Sequence, residues 1–100
     1  MIAKTTPPPY FAVIFTSLVT EIDENYSETA TWMVWLAQEQ EGYFGHESAR
    51  EGIGITVSYW KDLESIRRRK THSDHLLAQR LGREKWYSKY KTRIALVEKD

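Results

Sequence analysis

His72 and His75, in the run His72-Ser-Asp-His75, have the type and spacing best suited to proton chemistry in this chain. Three apart on a helix, they share a face. A neutral imidazole there can take up a proton near neutral pH and act as a general base. The plainer reading is a surface or helix-junction pair. Metal binding has little support: there is no H-E-x-x-H pattern, and Asp74 would point elsewhere on a helix. No metal and no cofactor are expected. Trp60 can wall a cavity and donate one hydrogen bond, or anchor a strand–helix corner. Tyr87, beside Trp86, can stabilise an oxyanion or stack in a corner. His46 reads as a satisfied sheet or interface histidine, with Phe44 and Ser48 on its face. Arg67-Arg-Arg-Lys70 is the strongest charge cluster. It reads as a solvated helix face, with capture of an acidic ligand as the alternative.

Composition removes several classes. Lys and Arg number 14 and Asp and Glu 14, so the charges cancel; nucleic-acid binders usually carry a basic excess. Without cysteine there is no disulfide framework, thiolate metal site or thiol nucleophile. The glycines form neither phosphate-binding pattern. The longest apolar stretch, around Tyr10 to Phe15, falls far short of the roughly 20 residues that span a bilayer. The first residues do not read as a signal peptide. A cytoplasmic protein with no membrane association is expected.

One hundred residues suit one domain. Residues 1–9 read as a tail, since Pro7-Pro8-Pro9 favours an extended entry, and 10–100 as the domain. Tyr10 to Val19 is the first strand. Phe11, Val13 and Phe15 point one way, and Tyr10, Ala12 and Ile14 the other. Both sets are apolar, so both faces should be buried. Asp23 to Glu41 carries a helical stripe of Tyr26, Ala30, Met33 and Ala37, and Gly42 stops it. Tyr43 to Arg50 and Ile53 to Trp60 form a hairpin about Glu51-Gly52. In the second arm Ile53, Ile55, Val57 and Tyr59 share one face. Gly54, Thr56, Ser58 and Trp60 share the other. Asp62 caps a second helical region that resumes through Leu76, Leu77 and Leu81 to Gly82. Arg83 to Lys89 reads as a short turn, and Tyr90 to Glu98 as the last strand.

The order is β-α-β-β-α-β, a ferredoxin-like α+β arrangement with an antiparallel sheet. Two helical segments cover one sheet face. The other, also apolar, would stay exposed. A homodimer that packs two such faces together resolves this.

Several segments in this order resemble the antibiotic-biosynthesis-monooxygenase-like superfamily of dimeric α+β barrels. They are Gly42-Tyr-Phe-Gly-His-Glu-Ser-Ala-Arg50, Gly54-Ile-Thr-Val-Ser-Tyr-Trp60, Asp62-Leu-Glu-Ser-Ile66, His72 to Gly82 and Tyr90 to Glu98. The resemblance implies a cofactor-independent monooxygenase acting on a small aromatic or phenolic molecule in a pocket between sheet and helices. Such chemistry needs a base and anion-stabilising donors in a dry cavity. His72 or His75 is the candidate base, and Trp60 and Tyr87 are candidate donors or walls, chosen by chemistry rather than by matched family positions. The superfamily's haem-degrading branch fits poorly. Arg69 and Gln79 stand where it has tryptophan and the haem-ligating histidine, and the first strand lacks its asparagine. A non-catalytic small-molecule-binding dimer and a purely structural dimer are the alternatives.

Overall fold

The computed structural model describes residues 2–19, 38, 40–71 and 87–100. Among them stand β1 (Tyr10–Val19), β2 (Tyr43–Glu51), β3 (Ile53–Trp60), the helix α1 (Leu63–Thr71) and β4 (Tyr87–Val97). The strands make one antiparallel sheet in the order β2-β3-β1-β4. This is the expected ferredoxin-like α+β sheet. The helix expected over Asp23–Glu41 lies almost wholly outside the described residues, and so does the stretch from His72 to Trp86.

β1 occupies the centre because its side chains are apolar on both faces. Phe11 pairs with Trp60 and Leu96, and Val13 with Ser58 and Ile94. These residues share the side on which α1 packs. There Val13, Trp60 and Ile66 form the buried core, with Phe11 and Tyr43 against it. Ala12, paired with Tyr59 and Ala95, faces the other way.

Two boundaries differ from the sequence reading. β2 continues through Glu51, so the hairpin reverses about Gly52 alone, at φ +79°. β4 begins at Tyr87, where a turn was expected. Tyr87 packs edge-on against Phe15 with centroids 5.2 Å apart, and Leu18 pairs with Lys89. Cross-strand contact keeps this polar stretch extended.

The face assigned to Phe44 is also corrected. Tyr43 pairs with Trp60 but Gly45 pairs with Tyr59, so Phe44 is an extra residue in a β-bulge. Gly45, at φ +136°, supplies the conformation. Phe44 therefore turns to the far side, edge-on to Tyr10 at 6.3 Å. Tyr43 and His46, three apart, come to share the α1 side.

A second cross-strand device ties β2 to β1. The Arg50 side chain passes over Gly54 of the intervening β3, and a Cβ at Gly54 would strike its guanidinium. Beyond it, Arg50 Nη2 donates to Ser17 Oγ at 2.6 Å and Nη1 to the Ser17 carbonyl at 3.3 Å.

Exposed apolar residues lie on both sides of the sheet, not on one. Ile53 (54%) and Ile55 (44%) face away from α1, whereas Ile94 (51%) and Leu96 (49%) sit on the α1 side of the edge strand β4. One end of the far face, expected to be bare, is covered by the chain's own tail. Ala3 N–H donates to Glu47 Oε2 at 2.9 Å, and the Tyr59 hydroxyl donates to Glu47 Oε1 at 2.6 Å. Tyr10 donates to Asp100 Oδ2 at 2.7 Å. Tyr10 and Ala12 are buried beneath this end.

These contacts have two measurable consequences, the first of them steric. Gly42 has φ +87°, and a Cβ there would lie 2.8 Å from Ser65 Cβ; Gly52 has nothing within 4 Å. Gly52→Ala should cost about 1–2 kcal/mol from backbone strain alone. Gly42→Ala should cost more in urea denaturation, and equal costs would mean that the Gly42–Ser65 approach is unimportant. The second concerns pH. Hydrogen bonds from Tyr59 and from the Ala3 N–H lower the Glu47 pKa. Its contribution is therefore complete above the ordinary glutamate value of about 4.3 and lost as pH falls through the lower folded value. The Tyr59 phenol is pushed up to about 12, chiefly by its bond to Glu47. Its contribution is held below the ordinary tyrosine value of about 10 and lost as pH rises towards 12. Glu47→Gln should flatten the acid limb of a melting-temperature profile; an unchanged limb would remove Glu47 from the account.

Candidate functional site at the Trp60 corner

The corner forms where β3 ends and α1 begins. Asp62 caps the helix: its Oδ1 accepts the Ser65 N–H at 2.8 Å. That bond, with the Ser65 hydroxyl, holds the Asp62 carboxyl below the usual range. The Lys61 N–H donates to the Gly42 carbonyl at 2.7 Å, bringing the start of β2 against the helix. Ser65, Ile66 and Arg69 then face the sheet at helical spacing. Their neighbours face outwards. Arg67 pairs with Glu64, and Arg68 reaches Ser65 Oγ at 3.2 Å and Glu41 at 3.6 Å. The arginine run is a solvated face for two residues. The third turns inwards.

Trp60 is the floor of the corner. It is 0% exposed, and its indole N–H donates to Ser58 Oγ at 2.9 Å. Tyr43 stands edge-on to it with centroids 5.1 Å apart. The Arg69 guanidinium lies over it, 5.5 Å from the ring centroid, in cation–π geometry. The Tyr43 hydroxyl is 2.7 Å from His46 Nδ1, and the two rings stack at 6.5 Å. Tyr43, His46 and Arg69 are each half-buried. Burial pushes the Tyr43 phenol up and, against it, Arg69 pulls it down. Burial lowers the Arg69 pKa, opposed by Tyr43. Tyr43 and His46 can share a proton across their hydrogen bond, and Arg69 brings a cation to the same indole.

The residues singled out in the sequence do not all meet here. Trp60 is at the corner, as a buried anchor whose N–H is already used. Tyr87 pairs with Val19 while Trp60 pairs with Phe11. Those positions lie eight steps apart along β1, roughly 26 Å of strand. Tyr87 packs there with Phe15 and Tyr90. His72 and His75 lie outside the described residues. Among the described residues no three His, Asp or Glu side chains gather as metal ligands. Sequence reasoning missed Tyr43 and Arg69. Arg69 could have been found from its position three residues after Ile66. Tyr43 could not, because the bulge that turns it towards His46 breaks the strand alternation.

No family model matches the chain. It is 47% identical over 100 residues to the uncharacterized protein YqjZ of Bacillus subtilis (strain 168), spanning 98% of this chain and 88% of that one. Among solved structures, it is similar to SnoaB, a cofactor-independent oxygenase from Streptomyces nogalater. The TM-score is 0.78 at 13% identity, with 93% of this chain and 97% of that one covered. A candidate antibiotic biosynthesis monooxygenase from Nitrosomonas europaea gives 0.74 at 12% identity, covering 94% of each. Rv0793 from Mycobacterium tuberculosis gives 0.80 at 8% identity, covering 91% and 97%. At such identities the likeness speaks for the fold. The chain belongs to the family of YqjZ, and it shares the α+β fold of SnoaB and the other two solved structures.

Proposed function

We propose that the protein is a cytoplasmic, homodimeric, cofactor-independent monooxygenase acting on a small aromatic or phenolic molecule. The observation that carries this reading is the Trp60 corner, where an aromatic floor is ringed by Tyr43, His46 and Arg69. The fold shared with SnoaB, a cofactor-independent oxygenase, supports the same reaction class.

The chemistry asks for little beyond side chains. A base removes a proton from an acidic C–H flanked by aromatic rings, leaving a carbanion conjugated to an enolate oxygen. The electron-rich anion reduces dioxygen, and a C–O bond forms. Loss of water then leaves a carbonyl, so a CH2 group and O2 become C=O and H2O. His72 or His75, directly after α1 in the chain, supplies the base. Trp60, buried beneath Tyr43 and Arg69, holds those two side chains in place. Tyr87, in its own aromatic cluster at the far end of β1, is left out of this site.

Bare apolar surface supports the dimer. Ile53, Ile55, Ile94 and Leu96 are about half exposed, and β4 is an edge strand of the sheet among the described residues. Exposed apolar residues grouped on a sheet mark an interaction surface.

Oxygen uptake with anthrone as substrate tests the activity. Turnover should be measurable with the wild-type protein, and the double substitution His72→Ala, His75→Ala should lower kcat by about 100-fold or more, the usual worth of a positioned base. Undiminished turnover would remove both histidines, and no uptake at all would discard the oxygenase. Sedimentation velocity tests the assembly: a dimer at micromolar concentration is expected, shifted towards monomer by Ile94→Glu. A folded monomer in the wild-type protein would contradict it.

A further inference from the structure

Arg69 stands apart from the arginines beside it. Arg67 and Arg68 face outwards and meet Glu64 and Glu41. Arg69 is half-buried over Trp60, and among the described residues no carboxylate pairs with it. A guanidinium offers five N–H donors in a planar fork that matches an oxyanion. Holding one at a partly dry corner without an anion is unfavourable, since a desolvated charge ordinarily finds a partner.

Tyr43, edge-on to the same indole, brings a second donor to the corner by a local departure from regular structure. In an unbroken strand, residues three apart face opposite sides. The bulge at Phe44 and the positive φ of Gly45 put Tyr43 and His46 on one side, 2.7 Å apart. Bulges commonly re-aim a side chain next to a functional site. With the proton of the imidazole on Nδ1, His46 donates to the Tyr43 oxygen and leaves the Tyr43 O–H free to donate away from the strand.

We infer that Arg69 and Tyr43 form an oxyanion subsite over Trp60, with His46 as a positioning residue, and that its ligand is the ionised oxygen of a planar phenol or enol. The inference rests on the aromatic-substrate reading and names the groups that would hold the developing charge. Trp60 itself is sealed, so the ligand meets the guanidinium and the Tyr43 hydroxyl rather than the indole face, and the planar phenol or enol is the anion that the aromatic-substrate reading supplies.

The test uses the full chain and two probes, 4-nitrophenol, which turns yellow only as the phenolate, and 4-nitroanisole, which cannot ionise. Wild-type protein should bind the phenolate about tenfold more tightly than the ether, in line with a charge-assisted hydrogen bond. It should also raise the phenolate absorbance at a fixed pH. Arg69→Met keeps the apolar stem and should erase the preference while leaving ether binding in place. Tyr43→Phe and His46→Phe should each reduce the preference severalfold, with unchanged ether affinity showing that the corner is intact. If Arg69→Met fails to fold, Arg69→Lys, which retains charge but loses the fork, should still weaken phenolate binding. Equal affinity for the two probes, no binding of either, or a preference that survives Arg69→Met would overturn the subsite. Anthrone oxidation separates this from the function. Oxygen uptake without phenolate preference sinks the subsite and leaves the oxygenase; preference without uptake does the reverse.

Discussion

Burying an indole completely places two demands on the chain around it. The ring must be packed on every side, and its N–H must find an acceptor away from water. Here Val13 and Ile66 supply packing from β1 and α1, and Ser58, two residues back on the same strand, supplies the acceptor. Truncating such a side chain ordinarily costs about 3–5 kcal/mol, so much of the corner's order depends on this one residue. The Asp62 cap and the close approach of Gly42 to Ser65 then fix where α1 starts relative to the sheet. With the start of the helix set, the position of Arg69 two turns later is set as well.

Two irregularities meet over that floor. The bulge at Phe44 brings Tyr43 to the α1 side, and helical phase carries Arg69 inwards while Arg67 and Arg68 remain in solvent. Neither feature improves packing as plainly as a leucine at the same place would. A half-buried cation and a desolvated phenol weaken a small core, and sites that break local rules in this way are often functional. The far face shows the opposite economy. Glu47 joins the tail to β3 through two hydrogen bonds and closes one end of the sheet.

Much of this fold was legible from residue types. Two-sided apolar character marked β1 as a strand buried on both faces, Glu51-Gly52 marked the hairpin, and Asp62 marked the helix start, because each rests on local chemistry. The bounds of β4 were not legible. Ser88 and Lys89 look like loop residues, and pairing with Leu18 together with Tyr87 on Phe15 is a tertiary effect. The site was read less well. Trp60 was located, with its role as a buried corner anchor already among the alternatives. Arg69 was hidden within a charge run whose other described arginines are solvated. Tyr43 and His46 were separated by an alternation rule that the bulge suspends.

The groups above Trp60 are held, and not merely nearby, only if the indole is sealed and internally satisfied. Hydrogen exchange of its indole N–H, resolved by nuclear magnetic resonance and assigned from the peak missing in Trp60→Phe, measures this directly. Strong protection, lost only with unfolding, is the expected result. Exchange as fast as that of a free indole would mean that the corner opens readily, and the arrangement of Tyr43, His46 and Arg69 would lose its support.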